Sequence, residues 1–382
     1  MQRLAKRTDV DGVLSGNSRA HSRRVHTVAL LNHVKEVIVM PHYRDAVTDY
    51  ETLSLGDFEF QSGAVLPDTK LTYKVFGTLN SEKSNAILIA VPVNGTHQDA
   101  AAIHIEGDDR AINPDDHFII IPDMFGNGLS SSPSNSPSPF AGPDFPSVTI
   151  YDNVRAQHAL VTEQLGISKL KLVTGFSMGG LQAYHWAAMY PDMVENVVPI
   201  CSAAKCSDHN WLFLDSLAAA LEADAVFDHG RYTQYPEAGM KAFCAIYAAW
   251  AYSQEFFRQD GHKLLGLSSH KQMAATLAQR FVPQDPNDLL VRTRAWQNAD
   301  IGDNSLYNGD LNAALKGITA RAVVMPSSTD QYFWSDDSKD EVGAMTNAEL
   351  KEIPSIWGHV APTGRDAATT RFIDDAIREL LG

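Results

Sequence analysis

The sequence predicts an α/β protein: a mostly parallel eight-stranded sheet flanked by helices, with a block of helices inserted late in the strand series. Three observations carry this. From Asp57 onward, short β-rich runs alternate with amphipathic stretches, the pattern of a sheet whose strands are joined by crossover helices. Residues 85–93 (NAILIAVPV) and 117–122 (HFIIIP) are almost continuously apolar, as strands covered on both faces must be. From about Lys205 to Gly317 strand character disappears, and it returns at Arg321. The organisation expected is therefore an N-terminal extension over 1–45, a core made of 46–204 and 318–382, and a helical cap over 205–317.

In chain order, the extension comes first. Arg3, Lys6, Arg7, Arg19, Arg23, Arg24 and Lys35 stand against Asp9, Asp11 and Glu36 in the first forty residues, and the apolar patch at 28–31 is broken by Asn32 and His33. That is no secretory core. The segment reads as a disordered extension or as the product of a start upstream of Met40, with a mitochondrial transit peptide over 1–40 as the alternative. Residues 58–66 and 70–79 read as an opening antiparallel pair turning around Pro67. Asp152 is placed as the N-cap of a helix burying Val154, Ala156, Leu160, Val161 and Leu165. A strand at 169–174 runs into a helical stretch ending at Pro191, and 196–204 is the next strand. Helix-like segments follow at 211–222, 236–258, 268–281 and 285–299. The series closes with strands at 321–327 and 349–353 and a helix at 366–381. The Ser/Pro-rich run 130–146 lies between core elements and is read as a surface loop packed near the site.

Composition narrows the function. A formal net charge of −15 repels phosphates and argues against nucleic-acid partners. No apolar run approaches the roughly 18 residues of a membrane helix, and a cytoplasmic location is expected. Three cysteines build no disulfide framework, and Cys201 and Cys206 lack the companions a zinc site needs. No metal and no resident cofactor are predicted. The partner expected is a small-molecule ester or thioester.

Gly175-Phe176-Ser177-Met178-Gly179 is a G-x-S-x-G motif set between a strand and a helix, and that setting gives it weight. A sharp strand-to-helix turn lifts the serine hydroxyl onto the N-terminus of the next helix, and side chains two positions away would collide unless they are glycine. A serine hydroxyl needs a base and an orienting acid, which follow it in the order acid, then histidine. Asp330, just after strand 321–327, and His359, in the loop after the last strand, meet that order. Asp336, Asp337 and Asp340 read as a solvated loop, and His185 as packed. The oxyanion needs two backbone donors, expected from Met178 and from Val93, in the Val93-Asn94-Gly95 turn after strand 85–93. Asn94, Gly95, His97 and Phe176 are candidate substrate contacts. The turn 125–128 (FGNG) is expected to line the pocket. Trp211, Phe213, Trp250, Tyr252 and Phe256 form either an apolar tunnel or the packing of the cap.

From about residue 50 onward the chain resembles the homoserine O-acetyltransferase-like branch of the α/β hydrolases. The likeness rests on 60–63 (FQSG), 73–80 (YKVFGTLN), 145–157 (FPSVTIYDNVRAQ), the elbow 175–182, 190–192 (YPD), Ser328-Thr329-Asp330 and Gly358-His359. It implies the α/β-hydrolase fold, the triad Ser177, Asp330 and His359, acyl transfer from acyl-CoA or an ester to a hydroxyl, and a homodimer through the cap. Ester hydrolysis is the alternative. Val91-Pro92-Val93-Asn94-Gly95, Phe176, Phe333-Trp334-Ser335 and Val360 depart from the branch and argue against homoserine as the acceptor.

Overall fold

The computed structural model describes residues 47–382, apart from 282 and 283; the extension read over 1–45 lies outside the described residues. Eight strands form one sheet: β1 (Glu51–Glu59), β2 (Val65–Phe76), β3 (Ala86–Ala90), β4 (Phe118–Pro122), β5 (Leu172–Phe176), β6 (Asn196–Ile200), β7 (Arg321–Val324) and β8 (Ala348–Leu350). Their order across the sheet is β1-β2-β4-β3-β5-β6-β7-β8. β1 and β2 are antiparallel, β2 meets β4 antiparallel, and every pairing from β4 through β3 to β8 is parallel. The apolar runs do what their composition requires: all residues of β3 and β5 are buried, because helices cover both faces.

The helices are α1 (His97–His104), α2 (Ile150–Ala159), α3 (Met178–Met189), α4 (Asp208–Glu222), α5 (Glu237–Ala251), α6 (Gln254–Arg258), α7 (His270–Phe281), α8 (Pro286–Gln297), α9 (Leu311–Gly317), α10 (Ser335–Ala344) and α11 (Ala367–Leu381). Among the described residues, no named strand lies between β6 and β7. There α4 packs on α5 and α8, and α5 on α7. The insertion starts and ends at a short neck. Lys205 and Asp300 form an antiparallel bridge, Cys206 N donates to Ala299 O at 2.8 Å, and Ile301 N donates to Ala204 O at 3.1 Å. No helix of the described residues is long and apolar enough to cross a membrane.

Local differences from the sequence reading have physical reasons. The β1–β2 turn is made at 60–64, where Phe60 N bonds Ala64 O and Gly63 takes φ +82°. Pro67 and Asp68 instead form a bulge: Phe58 pairs with Leu66 and Gly56 with Thr69, so β2 carries one residue more. The N-cap of α2 is Thr149, and Asp152 is the third helical residue of a capping box. The helix read over 236–258 breaks at Tyr252, and Ser253 caps α6. The acids at 336, 337 and 340 belong to α10, not to a loop.

Candidate active site

The carboxyl ends of the strands converge on one crevice, where open α/β sheets place their ligands. Ser177 follows β5 directly, with φ +59° and ψ −123°, a strained conformation for a side-chain-bearing residue. Neighbouring glycines make the turn possible. A Cβ on Gly175 would lie 2.5 Å from the Gly179 carbonyl carbon, and one on Gly179 would lie 2.3 Å from the Ala90 oxygen. The elbow therefore packs backbone against backbone, and the serine hydroxyl stands over the N-terminus of α3, where the helix dipole favours negative charge.

Asp330 and His359 arrive from the loops after β7 and β8. His359 Nε2 lies 2.8 Å from Ser177 Oγ, and its Nδ1 lies 2.8 Å from Asp330 Oδ2. All three side chains are nearly inaccessible to solvent. The second carboxylate oxygen of Asp330 accepts from Tyr332 N at 2.8 Å and Phe333 N at 3.3 Å. Behind it, burial and then the carboxylate's charge push the Cys201 thiol well up, so it stays protonated beside Asp330. The imidazole is wedged between aromatic rings, Tyr332 at 4.5 Å and Phe176 at 4.8 Å between centroids. The acid is thus fixed by donors and the base by packing, which holds one tautomer and one orientation.

Ser177 and His359 open onto a cavity of about 200 Å³, shared with Val93, Asn94, Phe176, Tyr247, Leu277 and Phe281. Its walls are mostly apolar, and their outer part comes from α5 and α7 of the insertion. Among the described residues the amides of Val93 and Met178 donate no hydrogen bond, which leaves both open to an oxyanion. A larger open groove of about 1040 Å³ lies between loop 142–149, the end of α4 and α8, and it contains neither Ser177 nor His359.

Some expected contacts are not made. His97 is 1 % exposed and does not line the cavity: its amide and Nδ1 lie 2.9 Å from Asp123 Oδ1 and Oδ2, so it anchors the loop after β3 from behind. Gly95 is a turn residue, its N bonded to Pro92 O at 2.8 Å, and it too lies off the cavity wall. The FGNG turn is buried near Asp123, with Asn127 Nδ2 donating to that carboxylate at 3.0 Å, and is not a pocket wall. The Ser/Pro loop packs on β2 and α8: Lys70 N donates to Ser131 Oγ, and Ser134 N and Oγ donate to Asp288. Of the five aromatic residues read as tunnel or packing, only Tyr252 lines the cavity; Phe213 and Phe256 are core, and Trp211 is 43 % exposed. His185 is packed, bonded to Leu181 O at 2.8 Å, with burial pulling its pKa down to about 4. The residue the sequence reading missed is Arg292, buried against Val93. No local motif marks it, because its acceptor lies 199 residues away.

A serine at a strand-to-helix elbow, a histidine and an acid in series, and two free amides on either side of the elbow are the parts of an enzyme that works through an acyl-serine. The alpha/beta hydrolase fold profile matches residues 107–360, and the chain belongs to that family. It is 39% identical over 335 residues to an ethyl acetate hydrolase of Pseudomonas veronii, spanning 87% of this chain and 95% of that protein. The solved acetyl esterase MekB superposes with a TM-score of 0.86 at 38% identity, covering 89% of this chain and 99% of the other. A homoserine O-acetyltransferase of Chlorobium chlorochromatii is 28% identical over 85% of this chain and 93% of its own. The chain is an enzyme of this superfamily, with esterases and, at lower identity, acyltransferases among its relatives.

Proposed function

We propose that this chain hydrolyses small uncharged carboxylic esters, acetate esters above all, through an acyl-Ser177 intermediate. The observation that carries the proposal is the unbroken series Asp330–His359–Ser177, with both links at 2.8 Å, opening onto a cavity of only about 200 Å³. His359 Nε2 takes the Ser177 proton as Oγ attacks the ester carbonyl. The amides of Val93 and Met178 receive the oxyanion. As the carbonyl re-forms, the bond to the alcohol oxygen breaks and His359 returns its proton to that oxygen. A water then repeats the sequence: His359 takes its proton, its oxygen attacks the acyl carbon, and Ser177 leaves with the proton.

A cavity of about 200 Å³ with Phe281 and Tyr247 in its wall suits a small acyl group better than a long one. Its wall is mostly apolar, which favours an uncharged alcohol. The relatives named for ethyl acetate and acetyl esters support water as the acceptor. The transfer to a hydroxyl that the sequence reading put first has its support in relatives of lower identity. These steps use side chains and backbone amides alone and call for no resident cofactor. The three cysteines, all buried as free thiols, suit a reducing compartment such as the cytoplasm.

The test is release of p-nitrophenol from p-nitrophenyl acetate, together with mass spectrometry of the quenched protein. Wild type should turn over and carry an acetyl group on the peptide containing Ser177. Ser177→Ala should lose both signals while keeping its melting temperature. Turnover that survives in Ser177→Ala would sink the proposal, as would a wild-type enzyme that transfers acetyl from acetyl-CoA to alcohols yet leaves esters intact.

A further inference from the structure

One side chain ties the helical insertion to the oxyanion loop. Arg292, on α8, is 1 % exposed and among the largest fully buried side chains of the protein. Its Nη1 donates to the carbonyl oxygen of Val93, its Nη2 to Gln284 Oε1 at 2.7 Å, and its Nε to Asp288 O at 3.1 Å. A guanidinium is costly to remove from water, and it is tolerated where its rigid fork of donors is used in full. Here the fork joins the loop after β3, the residues leading into α8, and α8 itself. Asp288 lies within electrostatic reach of the same group and is itself held by the Ser134 N and Oγ, at 2.9 and 2.6 Å.

The loop after β3 is thereby pinned at both ends. On the sheet side Gly95 N closes a turn on Pro92 O, and the His97 amide and ring are held by Asp123. On the insertion side Arg292 holds the Val93 carbonyl. We propose that Arg292 is a positioning residue for the oxyanion hole: by fixing the Val93–Asn94 peptide it keeps the adjoining Val93 N–H presented to the cavity beside Ser177. This rests on the reading above that Val93 receives the oxyanion. Arg292 itself does not line the cavity, so it acts through the loop and not on the substrate. It also explains why the insertion matters to the chemistry as well as to the shape of the pocket: one of its helices holds a catalytic amide in place.

Misplacing a reacting group by about 1 Å can cost 10²-fold, and outright loss of one oxyanion donor about 10²–10³-fold. Arg292→Gln should therefore lower kcat for p-nitrophenyl acetate by about 10- to 100-fold, with KM changed less than about threefold. Arg292→Lys should recover part of the loss, because an ammonium can still reach the Val93 oxygen but lacks the fork. Affinity for a small alkylboronic acid, whose tetrahedral adduct on Ser177 places an oxygen in the hole, should fall in step with kcat/KM. Affinity for a neutral ketone that stays trigonal should not move. Rates are to be expressed per site titrated with a fluorophosphonate, so that partial misfolding does not pass for an effect. Gln284→Ala, which leaves Arg292 in place but removes one of its acceptors, should show the same pattern in weaker form and decides the matter if the Arg292 variants do not fold. Unchanged kcat per titrated site and unchanged boronate affinity in these variants would overturn the inference while leaving esterase activity standing. A wild-type protein inactive on every ester would instead overturn the function on which it rests.

Discussion

Asp330 owes its fixed position to backbone amides on one oxygen and to the imidazole on the other, so its substitution separates geometry from charge. Asp330→Asn can keep the amide contacts through its carbonyl but turns a donor toward His359 Nδ1, which selects the wrong tautomer. A kcat about 10³- to 10⁴-fold lower is expected, with a nearly unchanged melting temperature, and initial rates on p-nitrophenyl acetate check it. A loss smaller than tenfold would mean that His359 needs no acid to orient it. At this scale the sequence was most legible where chain order constrains chemistry. Ser177, Asp330 and His359 could be chosen because a nucleophile, an acid and a base must follow strand ends in that order. His97 could not be judged, because a histidine in a Gly-rich loop reads the same whether it faces substrate or a buried carboxylate; the discriminating partner, Asp123, stands at the end of another strand. Arg292 had no signature at all, since burial of an arginine is a property of what packs around it.

At the scale of elements, the elbow and the insertion respond to substitution in different ways. Gly179→Ala would push a methyl to within 2.3 Å of the Ala90 oxygen, and neither β3 nor α3 can retreat without opening the core. A loss of about 2–4 kcal/mol is expected from urea unfolding; a loss under about 0.5 kcal/mol would mean the elbow is looser than its contacts imply. Phe281→Ala acts on α7 instead. Removing the ring at the cavity wall should raise kcat/KM for butyrate and hexanoate esters relative to acetate, measured as a ratio on one enzyme preparation. An unchanged ratio would assign chain-length selection to another wall. Most strands and helices were legible because burial on both faces forces continuous apolar runs and helical packing forces a 3.6-residue period. The misreadings fall where two local signals compete. Pro67 is a turn residue by composition, yet the register places it in a bulge. Thr149 and Asp152 are both good caps, and the capping box uses both. The break between α5 and α6 depends on Ser253 capping a new helix, which periodicity across 236–258 conceals.

For the molecule as a whole, a buried carboxylate couples stability to pH. Glu341 on α10 accepts from Tyr184 Oη at 2.7 Å and from Ala204 N at 2.6 Å, and burial raises its pKa from the ordinary 4.5 to about 7. Between about pH 4.5 and 7 the folded state therefore binds more protons than the unfolded one, so this group's contribution to stability falls as pH rises through that window. The full cost, on the order of 3 kcal/mol, is present above pH 7. The buried imidazoles of His185 and His104, pulled down to about 4 and about 3 by desolvation, act with the opposite sign on the acid side. The informative quantity is thus the difference between Glu341→Gln and wild type. It should shift in favour of the variant as pH rises from 5 to 8, read from urea midpoints; a difference independent of pH would place the Glu341 pKa outside this window. The order of the strands across the sheet was not legible in the sequence, and the convergence of residues 93, 177, 330 and 359 was legible only as a consequence of a recognised motif series. Hydrophobic patterning specifies which segments become strands but not which become neighbours.

The neck at Ala204–Cys206 and Ala299–Ile301 has a further implication. Departure and return lie side by side, cross-bonded beyond the carboxyl end of β6, so the helices between them can be lengthened, shortened or exchanged without altering the register of any strand. Loop-closure entropy makes such changes inexpensive, since doubling a loop adds only about 0.6 kcal/mol. The strand framework that carries Ser177, Asp330 and His359 and the helical insertion beside it can thus vary along separate lines of descent.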